Sequence, residues 1–207
     1  RHANAATGRV NIHSEVEGLF VVNNAAIDAI NRIEPSITIA TLGDFATVTR
    51  GHMFATVKII PFAVPEAALA KALAAAGGFE GTLFSVAQWQ PRRVGLVATM
   101  LPSLKSEIMD KTARVLGARL ARSGSHTMAE LRVQHDEHAV ARAIEKLADQ
   151  GAELIIVFGA SAVVDPQDVI PEGIRLSGGT VIQVGMPVDP GNLLVLGSHG
   201  AIPVIGA

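Results

Sequence analysis

The chain has 207 residues, of which 49% are hydrophobic and 17% charged, so it can bury the core of one large domain or of a domain with a smaller companion. Its 17 basic and 19 acidic residues give a formal net charge of −2. This balance gives no electrostatic reason to expect a nucleic-acid partner, although it leaves a local basic patch open. Disulfides and thiolate metal sites are excluded because the chain has no cysteine.

The apolar segments of the chain are short. Residues 1–6 lack the apolar stretch of a signal peptide. No segment approaches the ~18 uninterrupted apolar residues that a membrane-spanning helix needs. We therefore expect a cytoplasmic protein with no membrane partner.

Residues 1–91 are predicted to form a small β-rich α+β region. Alternating and β-branched residues favour strands at 9–13, 18–23 and 36–41. Two further strands are expected on either side of Arg50–His52, which has the composition of a hairpin turn.

Two helices are expected in the same region, at 24–32 with Asn23 or Asn24 as its cap, and at 65–76 before a pair of glycines. Residues 77–91 show no long periodic element, and we place the domain boundary near residue 91. The region carries little functional signal. Packing, linking and oligomerisation are its candidate roles, so a homo-oligomer stays open.

From residue 92 onward, apolar strands alternate with amphipathic helices. Strands are predicted at 94–99, 127–133, 153–158, 180–184, 193–196 and 203–205, and helices at 104–122, 136–150 and 169–177. Such alternation implies βαβ units with right-handed crossovers, so residues 92–207 are predicted to form an open, mostly parallel sheet with helices on both faces. Ligands of these sheets bind beyond the carboxyl ends of the strands. This selects the loops after Thr99 and Phe158 and the loop at 187–192.

The loop after Phe158 is the most informative of the three. Gly159, Ala160 and Ser161 are small, so a ligand can approach the backbone, and exposed N–H groups before a helix favour anions. Asp168 is placed to cap the next helix or to contact a ligand, and capping explains most aspartates at helix starts. Asp165 precedes a proline and suits a turn.

Other stretches give weaker signals. His135 and His138 flank a predicted helix start, but zinc sites need three or four converging ligands, so we predict no metal site there and expect Asp136 to be a cap. No G-x-x-x-x-G-K-[ST] or G-x-G-x-x-G loop occurs, which disfavours nucleotide hydrolysis and dinucleotide binding. Residues 187–192 predict either a long hairpin connection or a rigid loop that faces a ligand.

Together the loops of residues 92–207 resemble those of the molybdopterin-binding domain shared by molybdenum-cofactor biosynthesis proteins. The strand ending at Thr99 resembles the family's first strand, but Met100–Pro102 replace the rest of its Thr-Gly-Asp-Glu motif, including the acid. Asp110 matches the aspartate of the family's Asp-Thr/Ser-Asn stretch. His135-Asp136 stands in place of an Arg/His-Asp pair.

The later loops carry the rest of the resemblance. Residues 158–171 are similar to the family's Ser/Thr-Gly-Gly-x-Gly/Ser loop and the Asp-Val/Tyr-x-Pro that ends it, with Gly159 and Asp168 as matching positions. Pro190 and Gly191 match a Lys-Pro-Gly-Lys-Pro loop that has lost its lysines. The order of elements is closest to a subgroup in which this domain precedes a cytidylyltransferase domain.

The resemblance implies a domain that holds molybdopterin during molybdenum cofactor biosynthesis, with a cytidylyltransferase domain or protein as partner. The implied binding residues are Thr99, Gly159, Ala160, Ser161, Asp165, Pro190 and Gly191. In this interpretation the amides of residues 159–161 hold the phosphate, and Asp168 contacts the pterin edge.

Two alternatives stay open. The first is an enzyme of the same family that transfers a nucleotidyl group to molybdopterin or inserts molybdate, with Asp110 and Asp168 as catalytic residues that together hold Mg²⁺. The second is a general anion-binding α/β module without pterin specificity.

Overall fold

A computed structural model describes residues 2–4, 8–103 and 105–207 of the chain. The chain divides into two compact units, Arg1–Trp89 (unit 1) and Gln90–Ala207 (unit 2). No helix among the described residues is both long enough and apolar enough to cross a membrane.

Unit 1 is built from two small antiparallel sheets and two helices. Its described elements are β1 (His2–Asn4), β2 (Arg9–His13), β3 (Gly18–Val22), α1 (Asn24–Asn31), β4 (Ile37–Thr41), β5 (Thr47–Val48), β6 (Met53–Ile59), α2 (Glu66–Gly77) and β7 (Phe84–Gln88). The strand orders are β1-β2-β6-β4 and β5-β3-β7. Asn23 caps α1 by accepting a hydrogen bond from the N–H of Ala26.

Three phenylalanines join the two sheets of unit 1. The ring centroid of Phe54, on β6, lies 4.9 Å from that of Phe20 on β3 and 5.3 Å from that of Phe84 on β7. Because Phe54 belongs to one sheet and the other two rings to the other, the cluster forms a shared core.

One expectation for unit 1 is wrong. The strands on either side of Arg50–His52 do not form a hairpin, since β5 pairs with β3 while β6 pairs with β2 and β4. The turn instead carries the chain from one sheet to the other. Residues 77–91 contain a regular element, β7, which is held by its pairing with β3 and by the packing of Phe84. Both outcomes depend on contacts between distant residues.

Unit 2 has the predicted α/β fold. Its described elements are β8 (Arg93–Met100), α3 (Ser106–Ala121), β9 (His126–Gln134), α4 (Glu137–Asp149), β10 (Leu154–Phe158), α5 (Val169–Leu176), β11 (Thr180–Val184), β12 (Val195–His199) and β13 (Ile202–Gly206). The strand order is β11-β12-β13-β10-β8-β9, with parallel pairing from β13 to β9 and antiparallel pairing on both sides of β12. The predicted open, mostly parallel sheet flanked by helices is confirmed.

The centre of this sheet is buried on both faces. Every residue of β8 from Val94 to Thr99 is buried, as expected of a strand covered by helices on both sides. Gly95 permits close packing of α4, because a Cβ there would lie 2.9 Å from Cδ1 of Leu147. Similarly, α4 and α5 meet at Gly173, where a Cβ would lie 2.6 Å from Cγ1 of Val140.

The pairing register places several strand ends at one edge of the sheet. Residues that lie side by side across it are Val184, Val195, Gly206, Val157, Val97 and Leu131. Since β8, β9, β10, β11 and β13 all run in the same direction, the segments that follow them start from this edge. We call it the carboxyl edge.

Candidate functional site

A buried hydroxyl links two loops of the carboxyl edge. Thr99, near the end of β8, is 2% exposed, and its Oγ1 accepts a hydrogen bond of 2.7 Å from the N–H of Ala160. The same oxygen lies 3.3 Å from the carbonyl oxygen of Phe158. These contacts follow from the register of the neighbouring parallel strands, in which Ala98 pairs with Phe158.

An imidazole extends this link to the surface. His135 follows β9 directly, and its N–H donates to the carbonyl of Met100 at 3.0 Å. Its ring lies between two hydroxyls, with Nδ1 2.9 Å from Oγ1 of Thr99 and Nε2 2.9 Å from Oγ of Ser161. We call Thr99, His135 and Ser161 the strand-end cluster. It joins the ends of β8 and β9 to the loop after β10.

The next residue fixes the start of α4. The carboxylate of Asp136 accepts a 2.9 Å hydrogen bond from the N–H of Ala139, so the predicted cap is confirmed. With its backbone held on one side by Met100 and on the other by this cap, His135 has a defined place at the edge of the sheet.

The loop after β10 turns sharply at a glycine. A Cβ on Gly159 would lie 2.6 Å from the carbonyl oxygen of Ser161 and 3.0 Å from Cδ1 of Ile170, so a larger residue does not fit without a shift of the backbone. The N–H of Gly159 donates to the carbonyl of Ala207 at 2.8 Å. The amides of Gly159 and Ala160, both predicted to hold an anion, therefore have partners within the protein.

The amides that follow are free. Across the part of the chain that the structure describes, the N–H groups of Ser161, Ala162 and Val163 have no hydrogen-bond partner. Successive free N–H groups at a strand end favour an anion, because each contributes a partial positive charge. The free donors thus begin at Ser161, two residues after the predicted start at Gly159. Ser161 and Ala162 are exposed, whereas Val163 is 4% exposed.

Two aspartates hold the remainder of this loop. Oδ1 of Asp168 accepts from the N–H of Val169 at 2.7 Å, and its Oδ2 accepts from the N–H of Val164 at 3.3 Å, so Asp168 caps α5 and closes the loop. Oδ1 of Asp165 accepts from the N–H of Gln167 at 2.7 Å, which makes a local turn. A ligand contact of either carboxylate stays a prediction.

Asp110 lies on α3 and has a basic partner on β9. Its carboxylate accepts a hydrogen bond from Arg132, which also binds the carboxylate of Glu130 at 2.6 Å. These hydrogen bonds, first from Glu130 and then from Asp110, raise the pKa of the Arg132 guanidinium. Asp110 is therefore engaged in an ion pair, and among the described residues no group of three or more histidines, aspartates and glutamates could hold a metal ion.

The loop that contains Pro190 and Gly191 shares the carboxyl edge but lies further along it. It connects β11 to β12, and β11 lies three strand spacings, or about 14 Å, from β10. The loop closes on itself, since the N–H of Gly185 donates to the carbonyl of Leu194 at 2.7 Å and the N–H of Met186 to that of Gly191 at 3.2 Å. The predicted hairpin connection is thus observed.

A concavity opens beside the strand-end cluster. Its volume is about 470 Å³, and it is lined by Met100, Leu101, Pro102, Gln134, His135 and Asp136. This volume is within the range of small-molecule pockets, which are mostly apolar with a few polar groups. We call it the His135 pocket.

His135 is a functional candidate that was not among the site residues predicted from the sequence. Its position between a strand and a capped helix, next to Asp136, is visible in the sequence. The contacts of its ring are not, because they reach Thr99 and Ser161, which are 36 and 26 residues away.

Fold and geometry define an α/β domain with a hydroxyl–imidazole cluster and free amides at the carboxyl edge of its sheet. No protein-family model and no curated protein matches the sequence. Among solved structures, the chain is similar to the protein CinA, of unknown function, from Thermoplasma acidophilum, with a TM-score of 0.45 and 11% identity over 56% of this chain and 87% of that one.

Two further similarities are to molybdopterin biosynthesis proteins. The MoeA protein from Pyrococcus horikosii gives a TM-score of 0.42 and 17% identity over 94% of this chain and 62% of that one. The MoaB enzyme from Thermus thermophilus gives a TM-score of 0.39 and 18% identity over 56% of this chain and 79% of that one. Similarities of this size assign neither a family nor an activity.

Proposed function

We propose that unit 2 is a molybdopterin-binding domain that acts in molybdenum cofactor biosynthesis. The observation that carries this proposal is the row of free N–H groups at Ser161, Ala162 and Val163, beside the strand-end cluster. The resemblance of residues 158–171 to the family's Ser/Thr-Gly-Gly-x-Gly/Ser loop supplies the choice of ligand.

Each part of the site has a distinct task in this proposal. The free amides take the phosphate of molybdopterin. Thr99 holds the loop in place, because its hydroxyl accepts a hydrogen bond from the N–H of Ala160. The pterin ring lies against the His135 pocket. Asp168 contacts the pterin edge. A carboxylate has about four acceptor positions, and the N–H groups of Val164 and Val169 use two of them, so two stay open for the pterin.

The residues favour binding over group transfer. Nucleotidyl transfer depends on cations that neutralise phosphate charge. The loop after β8 lacks the family's acid, the loop at 189–192 lacks its lysines, and Asp110 is paired with Arg132. We therefore propose that the domain holds molybdopterin and presents it to a cytidylyltransferase domain or partner.

An anaerobic titration of the full chain with molybdopterin, followed by calorimetry, tests the proposal. We expect saturable binding at one site, and little heat from AMP or CMP at equal concentration. Absence of molybdopterin binding contradicts the proposal, and equal affinity for the nucleotides identifies a general anion-binding module.

A second experiment separates binding from catalysis. The chain is incubated with molybdopterin, Mg²⁺ and either ATP or CTP, and the pterin is analysed by mass spectrometry. We expect unchanged molybdopterin. An adenylylated or cytidylylated product shows that the domain is itself a transferase.

A further inference from the structure

The contacts of Thr99 determine where the protons of the strand-end cluster lie. A threonine hydroxyl has one proton and two lone pairs. One lone pair accepts the N–H of Ala160. The proton then points either to the carbonyl of Phe158, at 3.3 Å, or to Nδ1 of His135, at 2.9 Å.

The first arrangement makes one hydrogen bond more than the second. With the hydroxyl proton on the Phe158 carbonyl, the second lone pair of Thr99 accepts Nδ1–H of His135. The reverse arrangement sets two acceptor oxygens against each other at 3.3 Å without a proton between them. Because Thr99 is buried, water does not compensate for such a pair. The additional hydrogen bond favours the tautomer with the imidazole proton on Nδ1.

This tautomer makes Nε2 of His135 a proton acceptor that faces Ser161. The Nε2–Oγ distance is 2.9 Å, which is within the range of nucleophile–base pairs. We infer that Ser161 is a nucleophile that His135 activates as general base, and that Thr99 is a positioning residue that holds the imidazole. Thr99 thus takes the place that a carboxylate has in a serine–histidine–aspartate triad.

The surroundings of Ser161 suit such a reaction. Ser161 is exposed at the carboxyl edge, so a substrate can reach it. The next residue, Ala162, is exposed and has a free N–H group that can stabilise negative charge on an attacked carbonyl group. The substrate class is an ester of a carboxylic acid. This inference does not rest on pterin binding.

The reaction balances without a cofactor. Oγ of Ser161 bonds to the carbonyl carbon of the ester while its proton moves to Nε2 of His135. The bond to the leaving oxygen breaks, and that oxygen takes the proton from Nε2 and departs as an alcohol. Water then attacks the serine ester with His135 again as base, which releases the acid and restores Ser161.

The test is the reaction of the full chain with diisopropyl fluorophosphate. The P–F bond breaks, the bond from Oγ to phosphorus forms, fluoride leaves, and the proton passes through His135 to solvent. Peptide mass spectrometry gives the rate at each serine. We expect Ser161 to react at least about 100-fold faster than Ser103 and Ser106, two exposed serines of the same unit, because a positioned base contributes about that factor.

Variants show whether the rate arises from the cluster. His135→Gln is expected to reduce labelling of Ser161 to the rate of Ser103, Thr99→Val to reduce it at least about tenfold, and Thr99→Ser to restore it. Circular dichroism confirms that each variant folds. The inference is overturned if wild-type Ser161 reacts no faster than Ser103, or if folded His135→Gln reacts as the wild type does. The comparison of Ser161 with Ser103 is made within the wild-type protein, so it does not depend on the folding of a variant. The molybdopterin titration is a separate experiment, so its result does not decide the labelling result.

Discussion

The hydroxyl of Thr99 accepts a 2.7 Å hydrogen bond from the N–H of Ala160, 61 residues further along the chain. This bond ties the end of β8 to the loop after β10, and the free amides follow directly. The position of the free amides thus depends on a buried side chain.

We expect Thr99→Val to lower the free energy of unfolding by about 1–3 kcal/mol, because valine has nearly the same shape but leaves the N–H of Ala160 without an acceptor. Urea unfolding followed by circular dichroism measures the change. Thr180→Val, at an exposed position on β11, is the matched control and should change stability little. Equal effects of the two substitutions contradict the account.

Two helical glycines should respond to alanine with opposite signs. At Gly173 the new Cβ would lie 2.6 Å from Cγ1 of Val140 and 3.1 Å from the carbonyl of Glu137, so Gly173→Ala is expected to cost about 1–3 kcal/mol. At Gly117, on α3, a Cβ meets nothing within 4 Å, so Gly117→Ala is expected to stabilise by up to about 1 kcal/mol. Thermal unfolding of both variants decides, and stabilisation by Gly173→Ala would show that α4 and α5 pack less closely than described.

Gly159→Ala should weaken molybdopterin binding at least about tenfold, because its Cβ would displace the carbonyl of Ser161 and with it the free amides. Gly43→Ala in unit 1, where a Cβ meets nothing within 4 Å, provides the control. Calorimetric titration of both variants gives the affinities. Wild-type affinity in the folded Gly159→Ala protein excludes this loop as the phosphate site.

The capping role of Asp168 predicts a stability loss that is independent of any ligand. Asp168→Ala is expected to destabilise by about 0.5–2 kcal/mol, since the N–H groups of Val164 and Val169 lose their acceptor. Asp149→Ala, at the last residue of α4, removes a negative charge from a helix C-terminus and should be neutral or slightly stabilising. Should urea unfolding show no difference between them, the cap contributes nothing.

Asp110→Asn tests whether the ion pair on α3 belongs to the site. The hydrogen bonds that raise the pKa of Arg132 keep the guanidinium protonated, so the arginine keeps its charge at all lower pH and loses it only at strongly alkaline pH. Because Asp110 is engaged by Arg132, we expect no change in molybdopterin affinity between wild type and Asp110→Asn at neutral pH, with or without Mg²⁺. A Mg²⁺-dependent fall in molybdopterin affinity would show that Asp110 belongs to the site.

The alternation of apolar strands and amphipathic helices predicted the fold of unit 2, because both periodicities are local properties of the sequence. The cap at Asp136 was predictable for the same reason. The order of strands in space was not. Strands β12 and β13 lie between β11 and β10, so the loop of Pro190 and Gly191 starts at a strand about 14 Å from β10 and ends at a strand about 10 Å from it.

Side-chain contacts between distant residues were likewise beyond local patterns. The ring of His135 meets Thr99 and Ser161 only after β8, β9 and β10 have assembled. In unit 1, β7 depends on its pairing with β3, which comes more than 60 residues earlier in the chain.

Nuclear magnetic resonance of the ¹⁵N-labelled chain during titration with molybdopterin tests the central claim most directly, because it observes the proposed donors themselves. We predict that the amide resonances of Ser161, Ala162 and Val163 shift most, with smaller changes around His135. Saturable binding with the largest shifts in unit 1, or no shift at these three amides, contradicts the account.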